Sequence, residues 1–213
     1  MDPAQALQEA ATRLESMGLN VGTSGNVSVR IAEGFIVTPS AIPPDRLEPV
    51  DMVELSMAGE IRAGGVPSSE WRIHRDVYAA FPDAGAIVHT HSTHATALSA
   101  LREDLPPFHY LVGKAGGHSI RCAEFATFGT QALSDAVVQA LAGRRACLMA
   151  NHGMLAYGSD LVGAMALAAD VEVLCQQYLV ARSAGTPVLL TAAQMDEAIE
   201  KFRIYGLPEE EPS

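Results

Sequence analysis

Two short apolar runs that each end in histidine constrain this chain more than any other feature. Ala86-Ile87-Val88 passes into His89-Thr90-His91, and Ala146-Cys147-Leu148-Met149-Ala150 passes into Asn151-His152-Gly153. Runs this short and this apolar read as buried strands whose ends turn polar. Side chains alternate along a strand, so His89 and His91 point to the same face. Two imidazoles on one face can grip a single cation, and a third ligand must then come from elsewhere in the chain. His152 is the candidate, at the matching end of the second run. Three neutral imidazoles leave a tetrahedral zinc one open position, which catalytic zinc sites require. Nitrogen ligands also suit zinc better than magnesium or calcium. Taken alone, a His-x-His pair reads more often as two hydrogen-bonded histidines than as a metal site. Placing all three at strand carboxyl ends, where sites on α/β sheets gather, favours the metal.

The rest of the chain reads as one domain. Asp2 and Pro3 open a first helix that Gly18 closes, with Leu7, Ala11, Leu14 and Met17 on one face. The loop Gly22-Thr23-Ser24-Gly25-Asn26 runs into a strand at Val27–Arg30, and further strands are expected at 35–38 and 53–57. Ser68 or Ser69 caps a helix starting near Glu70 and ending before Pro82. Helices are also expected over 93–102, 130–141, from an Asp160 cap to about Ser183, and over 192–202, with a glycine-rich connection at 113–118. Strands and helices do not alternate regularly, and neither repeat nor linker divides them. The expectation is an α/β sheet with helices packed on its faces.

Composition narrows the function. With 213 residues and 48% hydrophobic, the chain can fill a core, yet no stretch approaches the ~20 uninterrupted apolar residues of a membrane span. The N-terminus MDPAQALQEA lacks the basic and apolar regions of a secretory signal, so a cytoplasmic protein is expected. Fourteen Lys and Arg against twenty-five Asp and Glu give a formal net charge of −11, without a basic stripe, which argues against nucleic acid. Cys122, Cys147 and Cys175 lack a CxxC spacing and read as reduced, buried thiols.

Other residues carry chemistry more ambiguously. Glu70, near a helix start, answers the macrodipole or stands by the metal as a proton carrier. Thr23-Ser24-Gly25-Asn26, Ser40, Ser68 and Ser69 are turn and cap residues that can equally cradle a phosphate without Lys or Arg. His74 reads as a satisfied polar contact and His94 as the same or a support to a ligand.

Taken together, Gly22–Arg30, Val37-Thr38-Pro39, Ser68-Ser69-Glu70-Trp71-Arg72, Val88–His91, Ala115-Gly116-Gly117, Ala126–Thr130, His152-Gly153 and Glu200–Leu207 resemble the class II aldolase/adducin family, most nearly its bacterial fuculose-phosphate aldolases. The resemblance implies a single three-layer domain over 1–207, with a mostly antiparallel central sheet flanked by helices, followed by a mobile acidic tail at 208–213. It implies Zn2+ held by His89, His91 and His152, approached by Glu70, which is also the catalytic acid/base. It implies phosphate contacts from Thr23, Gly25, Asn26, Ser40, Ala41, Ser68 and Ser69. It further implies a homotetramer with sites at subunit interfaces, into which Tyr110 and Tyr205 of a neighbour reach, Tyr110 as proton donor to the aldehyde oxygen. The implied reaction is cleavage of L-fuculose 1-phosphate, or of a 5-deoxy- or 5-methylthio-pentulose 1-phosphate, to dihydroxyacetone phosphate and a small aldehyde. Rivals on the same scaffold are a sugar-phosphate 4-epimerase, whose members carry Asp where Glu70 stands, a methylthioribulose-1-phosphate dehydratase, and a non-catalytic assembly module. Three positions depart from the fuculose enzymes: Ala41 where Gly is usual, Asn151 where His is usual, and Lys114 in place of a small residue. Ala resists positive φ, so the Ser40-Ala41 loop is expected to take a different shape.

Overall fold

The structure is a computed structural model that describes residues 2–204; Tyr205 and the tail at 208–213 lie outside the described residues. In chain order the elements are α1 (Pro3–Ser16), β1 (Asn26–Ile31), β2 (Gly34–Val37), β3 (Val53–Ser56), β4 (Ile61–Ala63), α2 (Trp71–Ala80), β5 (Ala86–Thr90), α3 (Thr93–Ser99), β6 (Cys122–Ala123), α4 (Gln131–Ala140), β7 (Ala146–Met149), β8 (Gly153–Gly158), α5 (Leu161–Ala184) and α6 (Ala192–Ile204). The eight strands form one sheet in the order β4-β3-β2-β1-β5-β8-β7-β6. Every neighbouring pair is antiparallel except β6 and β7.

Strand alternation sorts the core into two layers. Val27, Ala86, Val88, Leu148, Met154 and Ala156 face α1, α3 and α5, whereas Phe35, Leu55, Ile87, Cys147, Leu155 and Tyr157 face α2 and α4. The expected three-layer α/β domain is therefore observed. α5 is 24 residues long and apolar, but its buried stripe from Ala164 to Tyr178 packs within the first of these layers. Asp160 opens it as expected, its Oδ1 accepting from the Gly163 N–H at 2.7 Å.

Local departures from the sequence reading have physical causes. Glu70, rather than Ser68 or Ser69, is the N-cap of α2, and the Ser68 hydroxyl instead accepts from the Glu70 N–H at 3.3 Å. The helix expected over 93–102 ends at Ser99 and closes in tight turns, the Leu101 N–H on Leu98 O and the Arg102 N–H on Ser99 O, before Arg102 takes φ 55°. The connection at 113–118 begins as a 3-10 turn over Tyr110–Ala115. Ala41 adopts φ 61°, so this loop keeps a left-handed shape at an alanine, at a strain of about 1 kcal/mol. The second histidine-ending run continues past a three-residue turn into β8, pairing Met149 with Gly153.

Candidate metal centre

β5 and β7 each pair antiparallel with β8, so both run the same way and their carboxyl ends meet at one edge of the sheet. His89 lies on the α2 face by alternation from Ile87, and His91, just past the strand, turns to the same side. The turn carrying His152 is pinned to α3: the Asn151 N–H donates to the Ser99 carbonyl at 3.1 Å, and the His152 N–H donates to Met149 O at 3.0 Å. Asn151 takes φ 54°, a conformation its short polar side chain tolerates. Its Oδ1 accepts from Arg102 Nε at 2.8 Å. Gly153 is required by closeness rather than by φ. A Cβ there would lie 2.3 Å from the Thr90 carbonyl oxygen and 3.2 Å from His91 Cδ2.

The three imidazoles converge with Glu70. Ligand atoms of Glu70, His89, His91 and His152 all lie within 4.8 Å of one another. His89 Nε2 is 3.0 Å from His91 Nε2 and 3.1 Å from Glu70 Oε2, and His152 Nε2 is 3.3 Å from Glu70 Oε1. His89 Nδ1 donates to the Met154 carbonyl at 2.8 Å, which leaves the Nε2 lone pair directed at the cluster. Glu70 Oε1 is buried and has no hydrogen-bond partner. Converging nitrogen lone pairs beside an unpartnered buried carboxylate oxygen are the donor set of a divalent cation, so these residues fit a metal.

The electrostatics agree. Burial pushes Glu70 up, but His89, then His152 and the Asn26 amide, outweigh it and hold the carboxylate well below its usual range. Burial, with the charge of His89, pushes His91 and His152 down to about 4, so both are neutral at pH 7, the form that can ligate a metal. His89 shifts the other way: burial opposes its protonation, but Glu70 raises it.

A cavity of about 400 Å³ opens over this cluster and is lined by Glu70, His91 and His152. Thr23, Ser24, Gly25 and Asn26 line it too, as do Ser40, Ala41, Ser68 and Ser69. The last two loops lie side by side, with the Ser40 N–H on Val66 O at 3.0 Å and the Ser68 N–H on Thr38 O at 3.1 Å. At Gly25, φ is 78° and a Cβ would strike Asn20 Oδ1 at 2.4 Å, so the turn into β1 tolerates no side chain there. The Asn26 side chain is engaged inward, its Nδ2 donating to Glu70 Oε2 at 3.0 Å.

Tyr110 is not brought to this cavity. It is 51% exposed and stacks on His109 and Phe202. His94 is paired with Glu172 of α5, its Nδ1 2.7 Å from Glu172 Oε1. Sequence reasoning missed Phe125 and Phe128, exposed aromatics that line the cavity. The signal was Ala126–Thr130, a stretch that carries the family resemblance and contains Phe128, but no role is read from it.

Comparisons with known proteins show the family and the fold. Residues 5–179 match the family model described as Class II Aldolase and Adducin N-terminal domain. The chain is 46% identical over 200 residues to a 5-methylthioribulose-1-phosphate/5-deoxyribulose-1-phosphate aldolase of Rhodospirillum rubrum, covering 94% of this chain and 90% of the relative. It is 43% identical over 209 residues to the L-fuculose phosphate aldolase of Escherichia coli K12, covering 98% and 97%. Among solved structures, an L-fuculose 1-phosphate aldolase superposes with a TM-score of 0.92 at 38% identity, covering 95% of this chain and 96% of the other.

Proposed function

This chain belongs to the class II aldolase and adducin family, and from that premise we propose that it is a zinc-dependent aldolase cleaving a ketose 1-phosphate into dihydroxyacetone phosphate and a small aldehyde. The single observation that carries the reading is Glu70. Its Oε1 lies buried and unpartnered among His89, His91 and His152, at the floor of a cavity lined by hydroxyl-bearing loops.

In this reading, the loops of Thr23, Gly25 and Asn26, of Ser40 and Ala41, and of Ser68 and Ser69 hold the phosphate through N–H and O–H donors. His89, His91 and His152 hold one Zn2+ per subunit, with Glu70 able to join them. When bound, zinc supplies a Lewis acid for the charge that develops as the C3–C4 bond breaks. The C4 hydroxyl gives up its proton as it becomes the aldehyde, and the bonding pair stays on C3. Glu70, carrying a proton taken up from solvent, delivers it to that carbon and completes dihydroxyacetone phosphate, while the proton lost by the C4 hydroxyl returns to solvent. Phe125 and Phe128 offer apolar surface to the aldehyde fragment. In the condensation direction Tyr110 supplies the proton to the aldehyde oxygen from across an interface of a cytoplasmic homotetramer. Glu70, rather than the Asp of the epimerase branch, favours cleavage over epimerisation.

The test offers zinc-loaded protein L-fuculose 1-phosphate, 5-deoxyribulose 1-phosphate and 5-methylthioribulose 1-phosphate in parallel. Dihydroxyacetone phosphate is read by coupling to glycerol-phosphate dehydrogenase. Release that stops with a chelator and returns with zinc is the expected result, and the ranking of kcat/KM names the substrate. No release from any of the three sinks the aldolase reading in favour of epimerase or dehydratase. Sedimentation showing a monomer at assay concentration overturns the tetramer and the role given to Tyr110.

A further inference from the structure

Strand and helix spacing place five buried polar residues in one line. Asn26 and Ser28 are two apart on β1 and share its α2-facing side, because they pair with His89 and Ile87 of β5. Glu70, His74 and Tyr78 are four apart along α2. Two strand residues advance about 6.6 Å and four helix residues about 6.0 Å, so the two rows stay in step. Tyr78 Oη lies 2.7 Å from Ser28 Oγ, Ser28 Oγ 2.6 Å from His74 Nδ1, and His74 Nε2 2.5 Å from Asn26 Oδ1. Asn26 Nδ2 then reaches Glu70 Oε2 at 3.0 Å.

The ionised carboxylate can only accept, which sets every donor behind it. Asn26 must donate through Nδ2, so its Oδ1 accepts, and His74 must carry its proton on Nε2. His74 Nδ1 is therefore the acceptor for the Ser28 hydroxyl, and Tyr78 donates to Ser28. Both ends of an asparagine amide have nearly the same shape, so packing alone does not decide which end meets Glu70. Glu70 selects the NH2 end and the N–H of His74 secures the other, since a flipped amide would set two oxygens against each other at Glu70 and two N–H donors against each other at an Nε2-protonated His74.

We propose that His74, fully buried and outside the cavity, is a positioning residue that locks the Asn26 amide with its NH2 toward Glu70, fixing Oε2 and leaving Oε1 free to work. This rests on the aldolase reading for its kinetic arm alone. Burial, with the nearby His89, pushes His74 down to about 3, in keeping with a neutral ring.

The test compares His74→Gln, whose amide can repeat the donation to Asn26, with His74→Leu, which cannot. In zinc-loaded protein, His74→Leu is expected to lower kcat about 10- to 100-fold, with KM and bound zinc unchanged, and His74→Gln to recover most of the loss. An unchanged kcat in His74→Leu, a loss shared equally by His74→Gln, or a loss that tracks missing zinc overturns the proposal. Should His74→Leu fail to fold, Ser28→Ala carries the same expectation with a smaller loss. Histidine 15N NMR of the wild-type protein decides the tautomer without turnover: Nε2–H is expected, and Nδ1–H overturns the proposal even if the aldolase reading stands. Wild-type protein inactive on all three sugars sinks the aldolase reading, and the NMR arm still decides the tautomer.

Discussion

At the carboxyl end of β5, the side chains are held from several elements at once; around Tyr110, the contacts are aromatic stacking. His89 is tied to β8 by the Met154 carbonyl, Glu70 to β1 by Asn26, and the His152 turn to α3 by Ser99. Tyr110 instead lies half-exposed between His109 and Phe202, beside a Lys114 that meets Asp170 at 2.9 Å. Apart from Glu70 Oε1, the polar groups of this cluster find their partners on neighbouring elements of the same chain, so one chain can bring a metal-ligand set together by itself. A half-exposed tyrosine is complete as a packing residue and becomes a catalytic one only if a second chain brings a site to it. The difference separates what a subunit contains from what an assembly adds.

The largest expected effect lies in the held region. Glu70→Gln keeps size and polarity but removes the proton carrier, and kcat is expected to fall about 1,000-fold with zinc retained. Near-wild-type turnover in metal-loaded protein would remove Glu70 from the chemistry. Tyr110→Phe sharpens the comparison from the other side. A loss of about 100-fold in kcat, with an unchanged Tm, is expected if an assembly brings this face to a site. Unchanged kinetics would leave it a packing residue. Gly153→Ala tests the close approach of β8 to Thr90 and His91, and zinc affinity measured by competition with a chelator is expected to weaken about 10-fold.

The pH dependence follows from ligands whose folded pKa is depressed. His91 and His152 titrate near 4 in the fold against an ordinary 6.5, so between these values the unfolded chain binds more protons. Their contribution to stability is complete above 6.5 and is lost as pH falls toward 4. Thermal melts of chelator-treated protein should therefore decline across that window, and bound zinc should dissociate over it. A flat Tm from pH 7 to pH 4 contradicts this account. The smallest effect is at Ala41. Replacing it by Gly relieves a left-handed φ and should stabilise the protein by about 0.5 to 1 kcal/mol in urea denaturation.

Much of the site was legible because strand periodicity is local. Two residues apart on a strand means one face, and that placed His89 and His91 together without knowledge of the fold. The Asp160 cap and the apolar layers were legible for the same reason. β8 was not, because Gly153–Gly158 lacks alternation when both its faces are buried. Nor was Asn26: its loop composition suits a phosphate contact, while its partners Glu70 and His74 lie 44 and 48 residues away.

The sequence by itself determined the face of the histidine pair, the strand ends where candidate ligands gather, the Asp160 cap and an acidic charge that argues against nucleic acid. These depend on residues within a turn or a few strand positions of one another. Only the tertiary structure decided that His152 reaches the pair, that Glu70 turns inward from its helix N-terminus, that Ala41 accepts a left-handed backbone and that Asn26 serves Glu70. Each of those depends on atoms brought close by β1, β5 and β8 lying side by side, and no local pattern records that pairing.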